Sequence, residues 1–468
     1  MDPWTIMMGV ILVFTPFVCL WFSKDATSQR VQVKDMRRLF IKNKYYLHVF
    51  GYFLIIYWKR ITDSINEPLK VITNNWTAYV YQIEGDFVYF FQKYFSNQIL
   101  TDVLNFHYLF IYLFIIYVTT VFYAYVNERD LCDKVTMNYL LIYALAVPYY
   151  LFFNVEVTSS WIPHMDALLY HDNLYSTFYV EHDPLDNAIP SLHIAIPFGI
   201  LMINYLHVRE RGIQMKSWKL YRYHRFIIIN TGLFIFSILY LGIHWLIDIP
   251  LGAFIGGIGG LFIHYSHPYV RNPSMMKNAM ASLFSKSKNR FIELSTILGM
   301  SLMVYLAVDI QSEQAEQPPT LRLGLEDTLF EIVQPHDGLV NIQLSNYDSN
   351  YQVSYVIMSA IESEAYMNNG VINWSAISES HVFDMIEPNT TVSLQLEKID
   401  EYHVVIFHNP ESPQTIDVGA KFDYGADKLW LAFLMSIPSM WMTGFVFSQF
   451  LQRRKEGQSW QKASLEQE

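Results

Sequence analysis

Two short segments carry the residue types that could do covalent chemistry: Pro190-Ser191-Leu192-His193 and His244-Trp245-Leu246-Ile247-Asp248. Each stands where a long apolar run begins, so a serine, two histidines and an aspartate meet at the mouth of a helical membrane bundle. An ionisable group at the edge of a hydrocarbon-embedded segment is expensive to desolvate and is more often functional than incidental. Together the four supply a nucleophile, an acid and an orienting group, and they favour phosphoryl transfer on a lipid. His244 and Asp248 are four residues apart, so on a helix they share a face. Asp248 then accepts a hydrogen bond from one imidazole nitrogen and leaves the other as a lone pair, an oriented nucleophile. His193 suits the proton transfers, giving a proton to a departing alkoxide and later taking one from the acceptor. Ser191 and the first free N–H groups of the following helix form an anion site, with the positive end of the helix dipole facing the phosphate. With no thiolate or carboxylate cluster near the histidines, the sequence offers no metal site and calls for no cofactor.

Composition indicates what must hold these residues. A chain of 468 residues that is 52% hydrophobic and 16% aromatic, with only 16% charged residues, carries too much apolar surface for an ordinary soluble protein. It reads as a mainly α, polytopic membrane protein. Windows of about 20 apolar residues fall near 4–22, 45–62, 107–126, 138–156, 193–208, 226–243, 246–266, 291–309 and 429–449, which predicts about nine crossings. The aromatic stretch 63–106 reads as one or two amphipathic helices lying in the interface. Cys19 and Cys132 imply no disulfide framework. The segment Trp4 to Phe22 lacks a basic flank and a small-residue cleavage site, so it reads as a retained anchor.

Lys and Arg gather after the first, fifth, seventh and ninth windows, for example Arg37, Arg38, Lys42, Arg209, Arg211, Lys216, Arg271, Lys277, Arg453 and Arg454. By the positive-inside rule those loops face the cytoplasm. The 157–192 loop has Asp166, Asp172, Glu181, Asp183 and Asp186 and no base, so both histidine motifs are expected to open on the outer face. Residues 310–427 alternate apolar and polar in Leu339–Leu344, Tyr351–Ile357, Thr391–Leu396 and Tyr402–Phe407, the period of half-buried strands. They predict an inserted extracytoplasmic β-sandwich without catalytic groups, read as a lid, a spacer or a module for a protein partner. The expected organisation is 1–104 for N-terminal helices and interfacial segment, 105–309 for the catalytic bundle, 310–427 for the β-sandwich, and 428–468 for a last transmembrane helix and cytoplasmic tail.

The two motifs, in this order and about fifty residues apart, resemble the second and third signatures of the type 2 phosphatidic acid phosphatase superfamily. Leu192 before His193, and the run Tyr240-Leu241-Gly242-Ile243-His244-Trp245-Leu246-Ile247-Asp248, are most similar to the branch of inositol phosphorylceramide synthases of the aureobasidin-sensitive type. The resemblance covers residues 105–266 and implies a phosphohistidine intermediate on His244. The phosphatase branch also has a K-x-x-x-x-x-x-R-P motif and a Ser-Arg pair ahead of the third-motif histidine. Here Ser237 is present but Ile238 stands at the Arg position, and 157–192 contains no Lys or Arg. A phosphoryl transition state needs cationic stabilisation. Lys59 and Arg60, expected to end the second span at bilayer-surface depth, are the candidates for that clamp; ordinary snorkelling is the competing explanation.

The sequence therefore predicts a membrane phosphotransferase acting on a lipid phosphate ester, most simply a headgroup transferase. A lipid phosphate or diphosphate phosphatase is the first alternative. A non-catalytic lipid-binding scaffold with a partner-binding β-domain is the second. The expected partner is a membrane lipid substrate, and nothing points to nucleic acid.

Overall fold

The chain folds into two compact units. One is Met1–Lys59, Asn75–Val304 and Phe433–Glu468; the other is Arg60–Asn74 and Tyr305–Ala432. The computed structural model describes residues 3–70, 73, 75–162, 164–170, 188–272, 274, 287–309, 320–324, 328–333, 336–368, 371–399, 401–410, 412, 415–423 and 429–465. Asp172, Glu181, Asp183 and Asp186 of the acidic loop, Lys277 of the basic loop, and the connections 310–319 and 424–428 lie outside them.

The helices in chain order are α1 (Pro3–Phe22), α2 (Val33–Lys42), α3 (Tyr46–Lys70), α4 (Thr77–Glu84), α5 (Tyr89–Phe95), α6 (Gln98–Phe106), α7 (Tyr112–Tyr125) and α8 (Arg129–Phe152). After them come α9 (Thr158–Trp161), α10 (Leu192–Glu210), α11 (Tyr221–Tyr240), α12 (Asp248–Arg271), α13 (Ser287–Asp309), α14 (Ala360–Glu364), α15 (Trp374–Ser380) and α16 (Leu429–Leu465). Among the described residues seven helices are long and apolar enough to cross a membrane: Gln98–Tyr125, Arg129–Phe152, Leu192–Glu210, Tyr221–Tyr240, Asp248–Val270, Arg290–Val308 and Leu429–Gln452. They mark a multi-pass membrane protein and correspond to seven of the predicted windows. The first two windows fall short of that standard. Ile6–Phe22 is a shorter apolar helix, and α3 carries Lys59, Arg60, Asp63 and Glu67 in its C-terminal half. The helix α3 runs on to Lys70, so Lys59 and Arg60, expected to end the second span, sit within it.

Glycines decide which helices meet. Gly252, Gly256 and Gly260 recur every four residues on one face of α12, a small-residue stripe that lets two backbones approach closely. A Cβ on Gly252 would come within 2.7 Å of the Ser191 carbonyl oxygen and one on Gly260 within 3.0 Å of Met202, while one on Gly256 would collide with the Ala195 carbonyl oxygen. The starts of α10 and α12 are therefore side by side, and so are their ends. Gly199 of α10 and Gly259 of α12 both leave room for the buried Asn138 of α8, so the three helices pack together.

The opposite end of this unit is tied by charge. Arg211 makes two 3.0 Å bonds to Glu128, Lys134 lies 2.8 Å from Asp130, His267 lies 3.2 Å from Asp130, and His48 lies 3.1 Å from Asp133. Val31 N also donates to the Tyr125 carbonyl at 2.8 Å. The chain after α1 and the start of α3 are thus both at this end. In the stretch expected to hold interfacial helices, α4 and α5 are short helices exposing Tyr79, Ile83, Phe90 and Tyr94, and from Gln98 the chain already belongs to the first long span.

The second unit is antiparallel. Its strands are β1 (Thr320–Leu323), β2 (Thr328–Val333), β3 (His336–Asn346), β4 (Val353–Ser359), β5 (Met367–Asn368), β6 (Val371–Ile372), β7 (Asp384–Ile386), β8 (Thr390–Ile399), β9 (His403–His408) and β10 (Ile416–Asp423). Two four-stranded sheets result, in the orders β1-β10-β3-β8 and β2-β9-β4-β7, besides the small β5-β6 pair. Inward residues of both four-stranded sheets, among them Val340, Ile342 and Leu344 of β3 and Val405 and Phe407 of β9, share one buried core. The four alternating segments picked from sequence lie in β3, β4, β8 and β9. Polar side chains make the turns between strands: Asp348 Oδ1 accepts from Asn350 N and Tyr351 N, and Asn409 Oδ1 accepts from Ser412 N.

Candidate active site

His193 lies in the first turn of α10, and Ser191 caps that helix from an extended backbone with φ −68° and ψ 115°. The Ser191 carbonyl accepts from Ala195 N at 3.0 Å, while its wholly buried hydroxyl has no hydrogen-bond partner. The N–H groups of Leu192 and His193, ahead of the first helical bond, take no partner among the described residues. The His193 imidazole is held between two tyrosine faces. The ring centres of Tyr108 and Tyr112 lie 3.8 Å and 3.9 Å away, inclined by 18° and 32°, and Phe234 of α11 closes a third side at 5.7 Å. Tyr108 lies within a π turn, His107–Ile111, that interrupts the first span between α6 and α7, and Tyr112 directly follows it. Such turns often mark functional positions in a helix.

The start of α12 is built differently. His244 is in the loop after α11, and Asp248 is the first helical residue. The shared helical face expected from their spacing is replaced by a cap. Asp248 Oδ2 accepts from Trp245 N at 2.9 Å and stands 2.9 Å from His244 Nδ1. Asp248 is wholly buried and His244 nearly so. With Nδ1–H donating to the carboxylate, the lone pair is left on Nε2. His244 and His193 lie within electrostatic reach of one another.

Nothing in the residue pattern points to Glu84. At the last turn of α4, its Oε2 accepts from Leu246 N at 2.7 Å and its Oε1 from Ile247 N at 2.6 Å, so one carboxylate clamps the loop that carries His244. Trp245 Nε1 donates to the Glu156 carbonyl at 2.8 Å, fixing the loop from a second direction. The N–H groups ahead of α12 are thus engaged, whereas those at the start of α10 have no partner among the described residues. Lys59, half-buried in α3, is not among the described contacts of Ser191, His193, His244 or Asp248, and Arg60, exposed, belongs to the second unit. The structure brings together Ser191, His193, His244 and Asp248 of the expected set, without Lys59.

Burial holds the Glu84 carboxyl above its ordinary range, and the charge of Asp248 pushes the same way, against the two N–H donors. Only the ionised form can accept both bonds. As pH falls, Glu84 is therefore expected to protonate earlier than an ordinary glutamate and to release the His244 loop. Because its folded pKa is raised, the folded state binds this proton more tightly than the unfolded one, so acid inactivation through Glu84 is not unfolding. A pH–rate profile with parallel thermal melts checks this. Glu84→Gln should lose about tenfold or more in turnover at neutral pH through misplacement of the loop, and its rate should lack the acid limb assigned to this group.

No curated protein and no solved structure matches the chain. Residues 136–272, which take in Ser191, His193, His244, Asp248 and the glycine stripe of α12, match the family model of the PAP2 superfamily, the one that the two motifs resemble.

Proposed function

We propose that the protein is a membrane phosphotransferase that takes a phospho-headgroup from a lipid phosphate ester onto His244 and passes it to a lipid hydroxyl, as inositol phosphorylceramide synthases do. The observation that carries this reading is the buried His244–Asp248 pair, with Nε2 unengaged beside a second imidazole and an open helix N-terminus. In the first step Nε2 attacks phosphorus, the bond from phosphorus to the lipid oxygen breaks, and His193 gives that oxygen a proton. Asp248 stabilises the imidazolium character that develops on His244. In the second step His193 takes the proton from the acceptor hydroxyl, whose oxygen displaces Nε2 from phosphorus. A lipid acceptor is preferred to water because no Lys or Arg is among the described contacts of the four residues, and a phosphodiester brings less charge to be neutralised than a terminal phosphate.

We further place the site and the β unit on the extracytoplasmic side, with the C-terminus in the cytoplasm. The bases concentrated in 209–225 and after 271 support this sidedness, and counting or leaving out the two windows ahead of residue 98 gives the same parity. The two four-stranded sheets are read as the layers of a sandwich that governs lipid access or engages a partner protein.

The experiment is a product analysis. The full chain in lipid nanodiscs, given a donor lipid labelled in its phosphate and an excess of acceptor lipid, should move the label into a new lipid. Release of the label into water, as soluble phospho-headgroup from a diester donor or as free phosphate from a monoester donor, would make it a hydrolase, and no turnover with intact folding would leave the scaffold alternative. Cysteines placed at the exposed Ala167 and Ser217 test the sidedness. The first should react with an impermeant maleimide on intact cells and the second only after permeabilisation; the native Cys19 and Cys132 are buried and leave the background low.

A further inference from the structure

The bases that the superfamily's motifs would supply to a phosphate are missing here, and a third histidine, His107, shares the Phe234 ring with His193. His107 opens the π turn of the first span and is 8% exposed. Its Nε2 lies 3.0 Å from Asn230 Oδ1, and Asn230 Nδ2 donates to the Phe226 carbonyl at 2.8 Å, which fixes the amide so that Oδ1 faces the imidazole. Nε2 is therefore the protonated nitrogen, and Nδ1, buried, has no partner. A polar atom buried in this way costs stability unless something fills its valence. One Phe234 ring packs against both His107, at 4.5 Å, and His193, at 5.7 Å, and the two imidazoles are in electrostatic reach of each other. The polar groups facing His107 are Asn230 from α11 and His193 from α10; no carboxylate is among its described contacts.

Resting on the phosphotransfer reading above, we propose that His107 Nδ1 is the hydrogen-bond donor for a non-bridging phosphoryl oxygen of the substrate, taking up a proton as the anion binds. It forms no bond to phosphorus. An imidazole that charges only when an anion arrives avoids the penalty of a permanent cation at the edge of the hydrocarbon. It also links anion binding to pH, since the imidazolium form has to be reached.

The test uses orthovanadate as the phosphoryl mimic on the purified full-length protein, with inhibition measured between pH 6 and pH 8.5. In the wild type inhibition should weaken as pH rises. His107→Phe, which keeps the stacking on Phe234 and removes both nitrogens, should weaken inhibition about tenfold or more at pH 7 and flatten that dependence. Asn230→Asp, which sets a carboxylate against Nε2 and favours the imidazolium, should carry tight inhibition to higher pH. Wild-type strength and pH dependence in His107→Phe, or an unmoved profile in Asn230→Asp, would overturn the assignment while phosphoryl label still appears on His244. Absence of label on His244 in the wild type would instead overturn the phosphotransfer reading and this assignment with it.

Discussion

His244→Ala is expected to abolish turnover and, with it, the acid-labile, alkali-stable phosphoryl label that brief exposure to a labelled donor lipid should leave on the wild type. The loss should be complete because, among the described residues, no other side chain near the start of α10 offers an unengaged lone pair while being held by a buried carboxylate. Asp248→Asn is the more informative change. Oδ2 takes both the Trp245 N and the His244 Nδ1 bonds, so an amide either keeps its oxygen there and loses the charge that stabilises the imidazolium, or turns its NH2 there, giving up the cap bond and favouring the tautomer with the proton on Nε2. Turnover should then fall by about three to four orders of magnitude with little change in KM or thermal midpoint. His193→Ala should separate the two halves of the reaction: transfer from a donor with a poor leaving group should drop far more than transfer from an activated aryl ester, whose departure needs no proton. Equal losses on both donors would show that His193 binds and does not protonate.

A single methyl group at Gly256 should do almost as much damage from outside the chemistry. The Cβ of Gly256→Ala would collide with the Ala195 carbonyl oxygen and come within 3.0 Å of Gly199 N, and both are main-chain atoms of a packed helix that cannot rotate aside. Relief requires α10 and α12 to part. Overpacking of this kind typically costs about 1–3 kcal/mol, and a shift of about 1 Å between catalytic groups can cost about a hundredfold in rate. The expected result is therefore a lower melting midpoint together with a rate loss near that size. Gly9→Ala and Gly232→Ala are the controls, since a Cβ at either meets nothing within 4 Å. Unchanged activity in Gly256→Ala would mean that the two helices do not rely on this contact.

What could be read in the residues before folding was whatever is local. The long spans follow from apolar length alone, and β3, β4, β8 and β9 follow from alternation. Ser191, His193, His244 and Asp248 are each adjacent in sequence to a partner and to the start of an apolar run. What could not be read depends on distant chain meeting. Glu84 bonds to residues more than 160 positions away and sits in a polar, aromatic stretch that looks like an interfacial helix. Tyr108 and Tyr112 are two of 33 tyrosines, distinguished only by the imidazole between them. The spacing of four between His244 and Asp248 suggested a shared helical face, whereas Trp245 N competes for the carboxylate and draws it back as a cap, leaving His244 on the loop. The strands β1, β2 and β7 are short and partly charged, and they become strands by completing a partner's hydrogen bonds rather than by their own pattern.

The glycine column on α12 also fixes when, during synthesis, the site comes into being. Helix α10 enters the membrane well before α12 has left the ribosome, so for that interval Ser191, the open N–H groups and His193 lack the neighbour that covers them. Helices assemble in the bilayer after they insert, and only a stretch as smooth as Gly252–Gly260 can slide against α10 until the two starts are level. A nascent chain halted before residue 244 emerges would carry His193 without His244 and Asp248, and on the proposed mechanism would be inert even though four of the seven described spans were already in place.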